Sequence, residues 1–472
     1  MNVLVWFKRD LRVHDHPALA MAAGTGAVLP VFVVEPELWA QAEASARQWE
    51  FAAESLADLR KDLAKIGAPL VVRVGDAAQV LAGLCRRHGV GHIVSHAEAG
   101  TPWTEARDRR VADWARGAGI LWTELPPPGV GHASGGGSCA LLPAPALRAV
   151  AGVEPGLIPS ARALKLAAEP CPHRQLGGRN RGLDLLESFL SRRGEAYRVA
   201  QSCPLAAERA SSRLSPHLAW GVLSVREVAA AIAARQAERP GRRWGGALSD
   251  FRSRLVGREA CLPELVDPPM DIPAEPPGNA ARLAAWVADE TGLPFLDACQ
   301  RYLRATGWLN ARIREMVASV ACHQLGLDRQ AVGRHVARLF TDYDPRIHRP
   351  QMQALAGAGW PLPQHLCDPV KLGCRLDPAG AFTRRWLPEL STVPDAFLHA
   401  PWRWPEAQRL LGHRYPEPII DLASAAREAR ERNRTARRRN GLVERAQGGV
   451  RPDREATKPR SVQARAQLCL PF

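Results

Sequence analysis

In the first quarter of the chain, short apolar runs alternate with longer stretches in which apolar residues recur every third or fourth position. Residues 3–7, 27–34, 70–74, 92–95 and 120–125 read as strands. Between them, 47–66 and 77–87 carry the spacing of amphipathic helices. The alternation predicts an α/β domain over residues 1–128, a doubly wound parallel sheet with helices on both faces. Pro126-Pro127-Pro128 closes it. The glycines at 129, 131 and 135–137 do not lie between a strand and a helix, so 129–180 reads as a linker, flexible over the glycine run, and not as a dinucleotide loop. From Arg181 the period becomes helical: Leu183, Leu186, Phe189 and Leu190 share one face, and Phe295, Cys299, Tyr302 and Leu303 another. Residues 181–426 are expected to be mainly α-helical. The arginine-rich stretch 427–472 is expected to begin as an exposed helix and pass into a basic, disordered tail.

Charge refines this division. The chain carries +15 over 472 residues, but the segment from Arg427 onward holds +8 of it. More than half of the basic excess therefore sits in the tail and says little about the folded body. The first residues enter a strand pattern directly and carry no secretory leader pattern. No uncharged apolar run reaches the ~18–20 residues that cross a bilayer. Ten cysteines occur without a C-x-x-C pair, the closest being Cys367 and Cys374, so neither a zinc ribbon nor an iron–sulfur cluster is expected and no metal is assigned. A cytoplasmic monomer with reduced thiols and no membrane contact is the expectation.

The segment Ser211-Ser212-Arg213-Leu214-Ser215-Pro216-His217 concentrates candidate chemistry. Ser215 reads as a helix N-cap with Pro216 at the first helical position. Hydroxyls, a guanidinium and free helix-start N–H groups suit a phosphate or pyrophosphate.

Further segments carry a resemblance. These are Trp6-Phe7-Lys8-Arg9-Asp10-Leu11-Arg12 with His14-Asp15-His16-Pro17-Ala18-Leu19, then Arg47-Gln48-Trp49-Glu50-Phe51 and Glu98-Ala99-Gly100. They continue at Ser212–Pro216 with Trp220-Gly221-Val222-Leu223-Ser224, at Thr306-Gly307-Trp308 with Arg312 and Arg314, and at Asp377-Pro378 through Arg385-Trp386-Leu387-Pro388-Glu389-Leu390 to Pro401-Trp402. In order and spacing across residues 2–405 the chain resembles the photolyase/cryptochrome family. The resemblance implies an α/β antenna-type domain, a linker and a helical domain holding a U-shaped FAD. It implies that Ser212, Arg213, Leu214 and Ser215 cradle the flavin pyrophosphate, with Tyr197 near the phosphates. It places Arg258 in the flavin-binding helix and Arg314, with Trp308 nearby, beside the isoalloxazine, where a cation compensates an anionic flavin in a poorly solvated site. His348 is the side chain that could donate near the ring. No catalytic residue is assigned.

The departures are specific. Where the family stacks a flipped dimer on tryptophans, this chain has Gly257 and Ala354, and an acid that bonds the lesion is replaced by Arg254. The family's electron-transfer tryptophans align with Pro276, Arg329 and Met352; Trp286, Trp308 and Trp360 could form another route. The segment Gly357–Pro363 replaces a flavin-contacting loop, and Ala311 replaces an asparagine. Trp103 and Thr104 stand where a folate-binding pair is expected, which makes an antenna chromophore doubtful. Two readings stay open. One is a blue-light-driven, FAD-dependent DNA photolyase acting on UV-damaged DNA, its lesion contacts weakened at Gly257, Arg254 and Ala354. The other is a cryptochrome-like sensor or flavin-binding protein that kept the fold and lost the repair site.

Overall fold

The computed structural model describes residues 1–98, 100–126, 140–201, 203–260, 280–355 and 366–447. The glycine run at 129–138, Pro276, the 357–363 segment with Trp360, and the tail from residue 448 lie outside the described residues.

Five strands form one sheet: β1 (Asn2–Phe7), β2 (Ala27–Val34), β3 (Val71–Val74), β4 (Val90–His96) and β5 (Leu121–Leu125). Each neighbouring pair is parallel, in the order β3-β2-β1-β4-β5. The winding reverses between β1 and β4, so their carboxyl ends open a crevice. The crossovers include α1 (Pro17–Thr25), α2 (Ala46–Lys65), α3 (Ala77–His88) and α4 (Pro102–Gly117). Alternate residues of β1 serve opposite layers: Val3, Val5 and Phe7 pack with Leu19, Leu56 and Leu59, whereas Leu4 and Trp6 pack with Leu81, Leu84 and Val111. Pro30 sits inside β2 because its missing N–H falls on the side where Val28 bonds Arg148 O and where β3 begins only opposite Val31.

Residues 140–178, within the expected linker, contain no helix or strand yet run fixed along this body. Leu147 N bonds Ile66 O, Val72 N bonds Pro155 O (each 2.7 Å), and Trp49 Nε1 donates to Pro159 O at 3.0 Å. They lead into α5 (Arg179–Ser188), α6 (Ser215–Ala219), α7 (Arg242–Ala260), α8 (Pro294–Thr306), α9 (Ala311–Ser319), α10 (Pro345–Leu355) and α11 (Leu422–Gln447). One core gathers Leu186, Phe189, Tyr197, Leu214 and Phe251; a larger one gathers Phe295, Cys299, Tyr302, Leu303 and Phe382. The expected tail is helical through Gln447, and its first turns bury Ala425 and Ala429. No helix among the described residues is long and apolar enough to cross a membrane.

Buried polar side chains join the two bodies. Arg47 donates to Arg304 O and Leu339 O, both at 3.0 Å, and Gln48 to Ala337 O at 2.8 Å. Arg9 reaches Tyr343 O at 2.9 Å and Arg12 reaches Gly221 O at 3.0 Å. The two arginines of the first motif therefore act as inter-domain fasteners, while Lys8 and Asp10 pair within the α/β domain.

Candidate functional site

Tyr197, Ser212, Arg213, Ser215, Arg258 and Trp308 line one cleft of about 640 Å³ in the helical domain. Residues far apart in sequence meet there because α7 crosses the loop preceding α6. The loop turns at Arg213, whose φ of 61° is in the left-handed region, a strained setting for a non-glycine residue. Behind it, the Arg193 guanidinium donates to the carbonyls of Leu185, Ser211 and Ser212, so the turn is held from its inner side.

The structure corrects the capping expectation. Ser215 is the first residue of α6 and Pro216 the second; Leu214 occupies the cap position and no side chain caps the helix. The Ser212 hydroxyl instead accepts from Leu214 N at 3.4 Å. Ser215 Oγ is buried and has no hydrogen-bond partner among the described residues, which leaves it for a ligand. Leu214 is fully buried among Leu186, Phe189 and Leu223 and offers the cleft no side chain. Arg213 lies 4.2 Å over the Trp308 ring and donates to Gln175 Oε1 at 3.1 Å. Tyr197 is packed edge-on against Phe251 at 5.4 Å.

Arg258 also borders a second cavity, about 280 Å³, where Arg314 and His348 are found. Two carboxylates that sequence reasoning missed organise it. Arg258 Nη2 meets Asp344 Oδ2 at 2.9 Å, Arg346 grips the same carboxylate at 2.8 Å, and Arg314 Nη2 meets Asp342 Oδ2 at 2.6 Å. Burial alone would raise the Asp344 pKa, but Arg346 and Arg258 hold it well below the usual carboxylate range. The signal was present in Asp342-Tyr343-Asp344, two acids one residue apart, facing arginines already singled out. His348 Nε2 lies 3.0 Å from Gly333 O and burial pushes its pKa down to about 4. The neutral ring therefore donates to Gly333 and presents an acceptor at Nδ1, not the donor expected from sequence.

The remaining candidates fall outside this arrangement. Gly257 is half-buried on α7 and Ala354 lies on α10. Met352 packs against the larger helical core, and Arg329 opens a separate helix. Trp286 pairs with His335 and Trp308 with Tyr302, whose ring in turn lies 5.4 Å from Trp386. A third cavity, about 790 Å³, lies at the carboxyl ends of β1 and β2, lined by Trp6, Arg9, Glu35 and Arg107 with Trp220 and Tyr343. Burial pushes the Glu35 carboxyl up to about 7 there. The Thr104 hydroxyl is spent on the α4 capping box, and Trp103 is half-buried near Arg107.

Asp10, His16 and His96 converge near the end of β1 within the spacing of a metal site. Their protons argue otherwise. His16 Nδ1 accepts from Leu19 N at 3.0 Å, so Nε2 carries the ring proton and faces Asp10 Oδ2; His96 Nδ1 lies 2.6 Å from the same oxygen. Two imidazoles clamp one carboxylate, and ligation through His16 Nε2 would break the α1 cap.

An α/β domain fastened to a helical domain, with a phosphate-suited cleft adjoining an arginine-lined cavity, defines a two-domain protein built to hold a phosphate-bearing ligand. The comparisons narrow the class. Residues 3–126 match the DNA photolyase family model and 225–435 the FAD binding domain of DNA photolyase. The chain is 30% identical to a deoxyribodipyrimidine photo-lyase of Streptomyces griseus, covering 89% of this chain and 97% of that one. It is 29% identical to a cryptochrome DASH of Natronomonas pharaonis, covering 89% and 98%. A bacterial class III photolyase from Agrobacterium tumefaciens superposes with a TM-score of 0.77 at 26% identity, over 93% of this chain and 98% of the other. The protein belongs to the photolyase/cryptochrome family, and FAD is its cofactor. The residues present fit that group: an unspent buried hydroxyl and an arginine at the phosphate end, and compensated guanidiniums at the ring end.

Proposed function

We propose that the protein is a blue-light-driven photolyase-type enzyme acting on pyrimidine dimers in DNA. One observation carries the reading: the cleft is lined by Arg213, Arg254 and Arg258 and by no carboxylate, while the adjoining cavity pairs its arginines with Asp342 and Asp344. This division suits a phosphate-bearing cofactor held at one end and an electron-rich ring stabilised at the other. Reduced FAD, held by these residues, would supply light-driven one-electron chemistry toward the dimer.

The chain's own part is binding and electrostatics. Ser212, Arg213 and Ser215 hold the phosphate end, and Arg314 and Arg258 fix positive charge near the ring. Phe251, Leu255 and Trp308 keep water from the cleft wall. Arg252 and Arg312, both exposed and each next to a cleft-lining residue, attract the nucleic-acid backbone. The curated photo-lyase relatives support the same reaction class.

Gly257 and Arg254 favour the second reading, a light sensor without repair, because Gly257 offers no ring to stack on a flipped dimer and the Arg254 guanidinium offers no acceptor for the dimer's N–H groups. The test is to purify the protein, record its flavin spectrum and illuminate it with dimer-containing single strands. Dimer loss at multiple turnovers establishes the photolyase reading. Photoreduction without dimer loss selects the sensor.

A further inference from the structure

We infer that Arg254 is a second phosphate-holding residue of the cleft, supplying with Arg213 the charge that balances the cofactor's pyrophosphate; this rests on the FAD assignment. Three guanidiniums line the cleft, and they are not equivalent. Arg258 is committed to Asp344 at 2.9 Å. Arg213 makes no ion pair; its polar partners are the neutral Gln175 and, at 3.4 Å, Tyr302. Arg254 is half-buried, lines the cleft, and has no hydrogen-bond or ion-pair partner among the described residues.

Its placement follows from helix geometry. Phe251, Arg254, Leu255 and Arg258 are spaced i, i+3, i+4 and i+7 on α7, the stripe that faces the cleft. Arg252, off that stripe, is exposed. A partly desolvated cation without a counter-ion is unfavourable, and a diester pyrophosphate carries one negative charge on each phosphate. Arg213 alone leaves half of that charge uncompensated in a cleft that excludes much water. Arg254 completes the balance from α7, and its fork of donors matches phosphate oxygens. The exchange of an acid for arginine at this position thus moves it from reading a lesion to holding the cofactor.

The test titrates full-length protein, stripped of flavin, with FAD and with riboflavin, which lacks phosphates, following flavin fluorescence at low and high salt. Arg254→Gln is expected to weaken FAD roughly 10- to 100-fold, the worth of a charge-assisted hydrogen bond, and to leave riboflavin unchanged. It should also flatten the salt dependence of FAD binding, with Arg254→Lys recovering part of the loss. Equal FAD affinity in wild type and Arg254→Gln overturns the inference. An equal loss of FAD and riboflavin also overturns it, since Arg254 would then act through packing. Wild-type protein that binds neither flavin overturns the cofactor assignment as well, a result distinguishable from failure at Arg254 alone.

Discussion

Ser215 illustrates how one hydroxyl changes meaning with its surroundings. As an N-cap it would contribute ~0.5–2 kcal/mol, and its loss would destabilise the protein. As a buried, unpartnered group it contributes nothing to the flavin-free fold. Ser215→Ala is therefore expected to leave the melting temperature of flavin-free protein unchanged or higher while weakening FAD binding, and a drop in that temperature would restore the capping role. Asp344 is the opposite case, a fully buried carboxylate on which Arg258 and Arg346 both depend. Asp344→Asn leaves two guanidiniums without their anion, and denaturant unfolding at neutral pH is expected to show a loss of ~3–5 kcal/mol. Because the folded pKa of Asp344 lies below its unfolded value of ~3.9, this stability is present above about pH 4 and fades as pH falls further. The gap between wild type and variant should narrow in acid.

The elements are tied together where backbone meets backbone. Gly221, just after α6, has φ 62°, and a Cβ there would stand 2.3 Å from Arg9 O in the loop after β1. That loop also donates from Arg12 Nη1 to Gly221 O and from Leu11 N to Trp220 O, so the contact is the joint between sheet and helices. Gly221→Ala is expected to cost at least ~1–3 kcal/mol from backbone strain, and more from the clash, measured by thermal unfolding. Proteolysis should then cut between the two bodies sooner than in wild type. In the same loop after β1, the clamp of His16 and His96 on Asp10 joins α1 to β4 and occupies the winding reversal that a metal could otherwise have used. The α7 stripe shows why position 254 counts while 252 does not: helical spacing alone decides which arginine faces the cleft.

Across the two bodies, burial holds His16, His217, His323, His335 and His348 near pKa 4, against a usual value near 6.5. Unfolded chains take up these protons first, so stability is expected to fall steadily as pH drops from about 6.5 towards 4. Melting temperatures across that range check it, and a flat profile would mean these rings titrate normally. The five strands were legible within two residues because short apolar runs, buried on both faces of a parallel sheet, are written by near neighbours. The cleft was legible in part: its loop and arginines stood out as residue types suited to phosphate. Asp342 and Asp344 did not, since a carboxylate becomes meaningful only beside its cation, and Arg258 meets Asp344 from 86 residues away. The same holds for the arginine and glutamine of α2, which read as a motif and proved to be domain fasteners. From residue order alone came the doubly wound sheet, the helical second body, the flavin family and the phosphate-seeking loop. Tertiary structure alone decided which hydroxyl stays unspent, which guanidinium stays unpaired and where the His348 ring proton goes, because those outcomes depend on partners that only folding brings within hydrogen-bond reach.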